Sequence, residues 1–185
     1  NKWLPSPCNS TFQQQKLRYD FLYEKITMEL FYQLSFEVEF NHEKEMKFAY
    51  CIPYTYSRLG EFLQGLSSRP EAKQFLKISK LCSSLGGLEV PLLVVHQGLE
   101  DCEQEEEGVP TRCVVVSGRA HPGESNGSFM IEGFIEWLCG DSKEACILRR
   151  FLVFKIVPML NPDGVALGNY RTGRSGRDFN REYRM

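Results

Sequence analysis

The stretch Thr111-Arg-Cys-Val-Val-Val-Ser-Gly-Arg-Ala-His-Pro-Gly-Glu124 decides the fold class of this chain. Residues 111–117 are almost continuously apolar, which is typical of a strand covered on both faces. Residues 151–157 form a second apolar run, and large residues recur at helical spacing between the two runs. A strand, a helix and a strand in this order predict an α/β sheet with parallel neighbours. The helical stripe consists of Phe129, Gly133, Phe134 and Trp137, widened by Met130 and Leu138.

The preceding residues predict two helices and a hairpin. Ser57 is a candidate N-cap for an amphipathic helix, and Pro70 is expected to open a second, short helix. Residues 76–85 and 88–96 are interpreted as two strands joined by a turn at Gly86-Gly87. The apolar stripe of the first helix consists of Leu59, Phe62, Leu63 and Leu66.

Two further segments complete the predicted organisation. Residues 31–40 alternate large apolar and polar side chains, as a half-buried strand does, and residues 46–52 would return as its partner. This hairpin is expected to close a small β-rich N-terminal region. Beyond Pro158 the chain is rich in glycine and is predicted to be loop-like.

The composition excludes several classes of function. The 185 residues are 42% hydrophobic and 25% charged, as in ordinary globular proteins, and a formal net charge of −2 gives no reason to expect nucleic acid as a partner. The richest apolar stretch, 151–160, is too short to span a bilayer of roughly 30 Å, so no membrane partner is expected. Residues 100–107 hold six acids in eight positions, which favours a solvated loop over an acidic metal site.

The cysteines predict neither a disulfide framework nor a cysteine zinc site. They are odd in number, widely scattered and never at CxxC spacing. Reduced thiols in a cytosolic protein fit this pattern best. The seven positions are 8, 51, 82, 102, 113, 139 and 146.

His121 and Glu124 are the candidate metal ligands. His121 follows the predicted strand and Glu124 begins the predicted helix, and loops at the carboxyl ends of sheet strands are where α/β proteins bind ligands. An imidazole nitrogen and a carboxylate are both suited to Zn²⁺, which in catalytic sites takes three protein ligands and a water. An HxxE tetrapeptide alone is a weak signal, and its position between strand and helix strengthens it.

The same segment also fits a serine hydrolase. Gly123-Glu-Ser-Asn-Gly127 matches G-x-S-x-G, the nucleophile elbow, which likewise lies between a strand and a helix. That chemistry needs a histidine after the serine, whereas His42, His96 and His121 all precede Ser125. The elbow also gives no role to the polar segments farther along the chain. Ser125 is therefore interpreted as a first-turn helix residue.

Two C-terminal segments carry further polar residues. Asn161-Pro-Asp-Gly164 follows an apolar run and has the composition of a tight turn. Residues 169–185 carry five arginines against Asp178 and Glu182, an excess of three positive charges in a glycine-rich loop. Guanidinium groups bind carboxylates in a bidentate manner, so this loop is a candidate pocket for an anion such as a chain end. A solvated basic loop is the alternative.

As an ordered set, these motifs resemble those of the cytosolic carboxypeptidases. These proteins are the deglutamylating branch of the carboxypeptidase A-type zinc metallopeptidases. The resemblance runs from about residue 31 to the end of the chain. The motifs that carry it are Pro53-Tyr-Thr-Tyr-Ser57, His121-Pro-Gly-Glu124, Pro158-Met-Leu-Asn-Pro-Asp-Gly164, Gly168-Asn-Tyr-Arg171 and Asp178-Phe-Asn-Arg181.

The resemblance implies a role for five residues of this sequence. His121 and Glu124 would be two of three protein ligands to a single zinc ion. Arg171 would stabilise the oxyanion that develops on the scissile carbonyl. Asn180 and Arg181 would hold the terminal carboxylate of the substrate. Secreted relatives have an arginine between the two ligands, whereas this chain has Pro122-Gly123 there, which agrees with the cytosolic branch.

The resemblance also implies a domain organisation. Residues 1–52 would be the C-terminal part of a β-sandwich domain, and residues 53–185 the N-terminal half of an α/β/α peptidase domain built on a mixed sheet. The third ligand and the catalytic glutamate would then lie beyond Met185. We therefore expect the 185 residues alone to lack peptidase activity and to be poorly soluble, since an unfinished sheet exposes an edge and apolar surface.

The implied activity is removal of C-terminal glutamates from polyglutamylated proteins, tubulin foremost. The implied location is the cytoplasm, with association to microtubules or cilia. A second hypothesis is a catalytically inactive module that binds acidic C-terminal tails through Arg171, Asn180 and Arg181.

Overall fold

The computed structural model describes residues 18–22, 31–35, 49, 51–97 and 112–183. The chain divides into two compact units, Asn1–Tyr50 and Cys51–Met185. Each unit is described by itself.

The first unit contains a two-stranded antiparallel sheet. Strand β1 (Arg18–Leu22) pairs with strand β2 (Phe31–Ser35), and Arg18 lies opposite Ser35. The first half of the predicted strand 31–40 is therefore confirmed, and residues 36–40 lie outside the described residues. Among the described residues, the partner of β2 is β1, a segment that precedes it. Of the expected return strand 46–52, residues 49, 51 and 52 are in no strand and the rest lie outside the described residues.

The second unit is a mixed α/β domain, as the sequence predicted. It begins with helix α1 (Tyr56–Ser67), a 3-10 helix (Pro70–Gln74) and the hairpin of β3 (Leu76–Ser83) and β4 (Glu89–Val95). Its second half consists of β5 (Cys113–Ser117), α2 (Ser125–Leu138), α3 (Lys143–Phe151), β6 (Val153–Val157), α4 (Pro162–Leu167) and a 3-10 helix (Phe179–Arg181).

The four strands of this unit form one sheet in the order β3-β4-β6-β5. The β3–β4 hairpin is antiparallel, and so is the β4–β6 pair. Strands β5 and β6 are parallel, with Cys113 opposite Val153 and Ser117 opposite Val157. The predicted parallel strand–helix–strand unit is thus confirmed, and the two loops that follow β5 and β6 leave the sheet at the same edge.

One face of the sheet carries the hydrophobic core. Helix α2 packs its buried stripe on this face, and α1 adds Leu66 beside it. Leu93, Ile135 and Ile156 have no exposed surface. The other buried core residues are Ala72, Phe75, Leu76, Val95, Ile131, Leu138, Cys139 and Phe154.

The prediction that 111–117 is covered on both faces is wrong for this chain. Strand β5 is the outermost of the described strands of this sheet, and its residues alternate between exposed and half-buried. Val114 and Val116 pack against the core, whereas Val115 is 70% exposed on the opposite face. An apolar run shows that a strand is compatible with burial on both faces, but it does not supply the layer that would cover the second one.

Two local predictions also need correction. The N-cap of α1 is Thr55, not Ser57, because the Thr55 hydroxyl accepts a hydrogen bond from the Arg58 amide at 3.1 Å. The buried face of α2 does not follow the largest residues: Met130 is 72% exposed and Trp137 41% exposed. The face that meets the sheet consists of Ser128, Ile131, Ile135 and Leu138, at i, i+3, i+7 and i+10.

Two helices were not predicted. Helix α3 has the signals of a short helix, with Ser142 as N-cap and arginines in its last turn. Helix α4 has Asn161 as its N-cap, whose side chain accepts from the Gly164 amide, and Pro162 as its first residue. The Asn161–Gly164 segment is therefore a helix start, not a tight turn, and the region beyond Pro158 is not all loop. Tight turns and helix starts are both rich in Asn, Pro, Asp and Gly, so the sequence alone did not distinguish between them.

Among the described residues, Cys51, Cys82, Cys113, Cys139 and Cys146 are free thiols, as expected, while Cys8 and Cys102 lie outside the described residues. None of the described helices is both long and apolar enough to cross a membrane.

Candidate metal centre

The candidate site lies where the parallel strands β5 and β6 end. Their following loops run side by side, because the Gly118 amide donates to Val157 O at 3.0 Å and the Leu160 amide donates to Gly118 O at 2.8 Å. Asn161 continues the pairing by donating its amide to Arg119 O at 3.2 Å. The sheet thus brings two segments that are forty residues apart in sequence to one edge, where α/β folds bind ligands.

His121 and Glu124 lie next to each other in the first of these loops. The His121 ring is buried, with 8% of the residue exposed, and its Nδ1 lies 2.9 Å from Glu124 Oε1. Glu124 occupies the N-cap position of α2, but its side chain makes no capping hydrogen bond and is 48% exposed. The carboxylate therefore reaches toward the imidazole and the solvent instead of the helix end.

The other ring nitrogen of His121 is bonded to Asp178. His121 Nε2 lies 3.0 Å from Asp178 Oδ1, a contact between residues 57 positions apart. Arg171 donates from Nη2 to Asp178 Oδ2 at 2.9 Å. Partial burial would raise the pKa of the Asp178 carboxyl, but the hydrogen bonds from Arg171 and His121 outweigh it and hold that pKa below its usual value. Asp178 is therefore a carboxylate that joins Arg171 to the imidazole.

This arrangement fits a divalent cation bound between His121 and Glu124. A neutral imidazole that donates from Nε2 to Asp178 presents its Nδ1 lone pair to Glu124 Oε1. In this tautomer a cation placed between the two atoms would be bound by a lone pair from each. A carboxylate on the far nitrogen of a metal-binding histidine is the usual way of fixing its tautomer and ring orientation.

The described residues do not form a complete metal site. No group of three or more His, Cys, Asp or Glu side chains within 51–97 and 112–183 is arranged to hold a metal ion. His121 and Glu124 are two ligands of the kinds that zinc accepts, and a catalytic zinc site uses three.

Every carbonyl of the loop from 118 to 122 accepts a hydrogen bond. Besides the two bonds to the neighbouring loop, the Asn161 side chain donates to Ala120 O at 3.2 Å and the Glu124 amide donates to His121 O at 3.3 Å. The last carbonyl, Pro122 O, accepts from the side chain of Arg119 at 3.0 and 2.6 Å. A loop with this many bonds has few alternative conformations available to it.

Arg119 is the residue of this site that sequence reasoning missed most clearly. It is 6% exposed and adopts a positive φ of 58°, the one such non-glycine among the described residues. Besides Pro122 O, its guanidinium donates to Tyr54 O at 3.0 Å and to Ser128 Oγ at 2.8 Å. Burial lowers the pKa of this guanidinium below its usual value. The available signal was a charged residue two positions after the end of a predicted buried strand.

Glycine is required where the two loops touch. A Cβ on Gly123 would lie 2.3 Å from the Tyr170 ring, and the Gly123 amide donates to Tyr170 O at 2.8 Å. A Cβ on Gly164 would lie 2.2 Å from Pro122 Cγ and 2.8 Å from Thr172 O. Both glycines therefore allow the segments around His121, Asn161 and Tyr170 to pack in direct contact.

The remaining predicted residues lie at the exposed margin of the site. Asn180 belongs to the second 3-10 helix and meets the site through its backbone, since its amide donates to Asp178 Oδ1 at 2.9 Å. The Arg181 guanidinium donates to Asn180 O at 3.2 Å. The side chains of both residues are exposed. His121 and Arg171 are thus joined through Asp178, and Glu124 contacts the other nitrogen of His121. Asn180 and Arg181 adjoin that cluster.

The geometry does not support the nucleophile elbow. Ser125 is 5% exposed at the start of α2, and the two ring nitrogens of His121 face carboxylates, not its hydroxyl. The His96 ring lies elsewhere, with Nδ1 3.2 Å from Leu152 O. His42 lies outside the described residues.

Comparison with known proteins shows the family of this chain. The family model described as zinc carboxypeptidase matches residues 61–184, which include both loops, α2 and Asp178. The chain belongs to the zinc carboxypeptidase family. The resemblance to cytosolic carboxypeptidases is likewise confirmed. The chain is 42% identical over 154 residues to cytosolic carboxypeptidase 3 of Mus musculus and 43% identical over 154 residues to cytosolic carboxypeptidase 2 of Xenopus tropicalis.

These matches cover most of this chain but little of the relatives. They span 83% of the chain, and 15% and 16% of the lengths of those two proteins. The metallo-carboxypeptidase of Burkholderia cenocepacia, a crystal structure, is 31% identical, with a TM-score of 0.59 over 71% of this chain and 33% of its own. The α/β fold is therefore that of the zinc carboxypeptidases, and the chain corresponds to about one third of that solved structure.

Proposed function

We propose that the protein is a zinc metallocarboxypeptidase that removes C-terminal glutamates from polyglutamylated proteins, tubulin foremost. The observation that carries the proposal is the convergence of His121 Nδ1 and Glu124 Oε1, 2.9 Å apart, at the sheet edge of a zinc carboxypeptidase fold. The Asp178 carboxylate behind the imidazole supports it, because a structural loop histidine has no need of carboxylates on both ring nitrogens.

Each residue of the cluster has a part in the proposed reaction. His121 and Glu124 would hold one zinc ion, which when bound polarises the scissile carbonyl and lowers the pKa of a bound water towards about 7. Arg171, 43% exposed, would donate to the oxyanion that forms as the carbonyl is attacked. This donation accelerates the reaction only if it is stronger for the oxyanion than for the ground-state carbonyl. In the protein without substrate, Asp178 holds the Arg171 guanidinium at the site.

The substrate proposal rests on charge. Asn180 and Arg181 would bind the terminal carboxylate of the substrate, and both are exposed next to Asp178. Arg174 and Arg177 are exposed in the preceding loop, and Arg177 lies 3.8 Å from Glu182, so that pair is loose. Exposed guanidinium groups in the loop beside Asp178 would attract an acidic tail over other chain ends. The names of the relatives suggest the cytoplasm, and we propose association with microtubules or cilia through the same tails.

Zinc stoichiometry tests the metal site. Replacing His121 with alanine in the full-length protein should reduce bound zinc from one ion per chain to nearly none, since two of three ligands cannot hold a catalytic zinc tightly. His96→Ala is the matched control, because it removes a histidine of the same unit that lies at the β4 end and contacts Leu152 O. Metal analysis after dialysis measures both. A zinc-free wild type, or a zinc-replete His121→Ala, would contradict the proposal.

Peptide hydrolysis tests the substrate. The full-length protein should release glutamate from a peptide with a glutamate C-terminus, should do so much faster than from the same peptide ending in alanine, and should lose activity with a chelator. The 185 residues alone serve as the control that we expect to be inactive. Zinc-dependent release of other residues in preference to glutamate would contradict the substrate proposal and leave the metallopeptidase proposal standing.

A second candidate is a module that binds acidic tails without cleaving them. The observation that favours it is that Arg171, Asn180 and Arg181 are exposed side by side around Asp178. The coding sequence after codon 185 separates the two. A histidine followed by a glutamate at metallopeptidase spacing favours the enzyme, and a stop codon favours the module.

A further inference from the structure

Arg119 occupies a backbone position that costs free energy. Its φ of 58° lies in the left-handed region, which is unfavourable for a residue with a side chain. Glycine adopts this conformation without that cost, and the residue before it is Gly118. An arginine at this position is explained only if the contacts of its side chain compensate for the unfavourable backbone conformation.

The side chain is buried without a carboxylate among its hydrogen-bond acceptors. Its four hydrogen bonds go to the carbonyls of Pro122 and Tyr54 and to the hydroxyl of Ser128. All these oxygens are uncharged, so the guanidinium is desolvated without a neutralising partner in those bonds. Burial of this kind is costly and is a poor way to gain stability alone.

The three acceptors belong to three different segments. Tyr54 precedes α1, Pro122 stands between His121 and Glu124, and Ser128 is in the first turn of α2. The bonds from Nε and Nη2 therefore fix the peptide that links the two candidate ligands. The bonds from Nη1 fix that peptide relative to the helix that begins directly after Glu124.

We propose that Arg119 is a positioning residue for the metal centre. It holds Pro122 O so that the His121 ring and the Glu124 carboxylate already converge before a metal binds. The inference rests on the proposed zinc site and adds a residue that contacts neither the metal nor the substrate. A preorganised site binds more tightly because the ordering cost of the loop does not have to be met when the ion arrives.

Zinc affinity tests the proposal in the full-length protein. Arg119→Met keeps the apolar stem and removes all four bonds, and competition with a chromophoric chelator should show zinc binding about 10–100-fold weaker. Arg119→Lys keeps the charge and should cause an intermediate loss of zinc affinity, because a lysine has one nitrogen and cannot donate to Pro122 O from two. Unchanged affinity in both variants would overturn the proposal.

Arg149 provides a matched control. It is 3% exposed in α3 and also donates to backbone carbonyls, those of Leu138 and Gly140. It lies outside residues 118–124, which carry the two candidate ligands. Arg149→Met should lower the urea midpoint of unfolding and leave zinc affinity within about twofold. An equal loss of affinity in Arg149→Met would show that general destabilisation explains the effect, and the proposal would fail.

Amide exchange in the metal-free protein separates this inference from the metal proposal. The amides of Gly123 and Glu124 donate to Tyr170 O and His121 O. Arg119→Lys should raise their exchange rates at least about tenfold, whereas amides of strand β6 should be unaffected. If wild type binds no zinc, the proposed function fails, and unchanged exchange at 123 and 124 overturns the positioning role in its own right. Should Arg119→Met not fold, Ser128→Ala removes one of the four bonds and should raise the same two rates a few-fold.

Discussion

His121 is the residue that connects the two halves of the candidate site. Its two ring nitrogens contact carboxylates on opposite sides, Glu124 at 2.9 Å and Asp178 at 3.0 Å. Only the first of these contacts is local in sequence. The second depends on Asp178, which is fixed by Arg171 on one oxygen and by the Asn180 amide on the other. Asp178 therefore determines how the imidazole faces its partner.

Replacing Asp178 with asparagine should weaken zinc binding by about 10–100-fold and leave the fold intact. The amide oxygen still accepts from the imidazole, but the negative charge that fixes the tautomer and increases ligand basicity is lost. Chelator competition in the full-length protein measures the effect. Asp163→Asn is the control, since Asp163 is a buried aspartate whose carboxylate accepts from Ser84 Oγ at 2.6 Å and from the Gly86 amide at 2.8 Å, in the β3–β4 turn, and not from His121. Equal losses in both variants would contradict the role of Asp178.

At the level of elements, the first turn of α4 packs closely against residues 118–124, the loop that carries His121 and Glu124, and this contact fixes the position of the helix. Gly164 is the third residue of this helix and lies against Pro122, and Asn161 caps the helix while donating to Ala120 O. The helix start and the loop of His121 are therefore one packed unit. A side chain at 164 would have to displace Thr172 O as well, which is backbone.

Two glycine-to-alanine substitutions should have opposite effects on stability. Gly60 is an exposed interior position of α1 with open space around it, so Gly60→Ala should raise the free energy of unfolding by about 0.5–1 kcal/mol. Gly164→Ala should lower it by about 1–3 kcal/mol, because the new methyl group cannot be accommodated without moving the loop. Urea unfolding of the two variants measures both. A neutral or stabilising Gly164→Ala would show that the contact with Pro122 relaxes easily.

At the level of the whole molecule, the sheet is covered unevenly. Its core face is packed by α1 and α2, whereas Val115, in the outermost strand β5, is 70% exposed on the other face. An edge strand with an exposed apolar residue is a template for association with another chain. The expectation that the 185 residues alone are poorly soluble follows from this face.

Replacing Val115 with threonine should reduce self-association of the isolated 185 residues and change their stability little, since the side chain is exposed and threonine favours strands. Light scattering over a concentration series measures the association. Val116→Thr is the matched control: it alters the neighbouring valine that packs against the core, and should cost about 1 kcal/mol of stability without reducing association. A monodisperse wild-type preparation would contradict the expectation.

The sequence by itself determined the elements whose signals are local. The apolar runs at β5 and β6 with a helical stripe between them predicted a parallel pair, and Gly86-Gly87 predicted the β3–β4 hairpin. His121 and Glu124 were found because they are three residues apart and follow a strand. Periodicity and turn chemistry act over a few residues, so one sequence is enough to recognise them.

Only the tertiary structure decided which residues support that pair, and which face of the sheet is covered. Asp178 reaches His121 across 57 residues, and Arg119 reaches Tyr54 across 65. No spacing rule predicts such contacts, because they depend on where the loops leave the sheet and how closely their glycines let them pack. The exposure of Val115 was likewise outside the reach of an apolar pattern, since burial is set by the layers that are present and not by the strand itself.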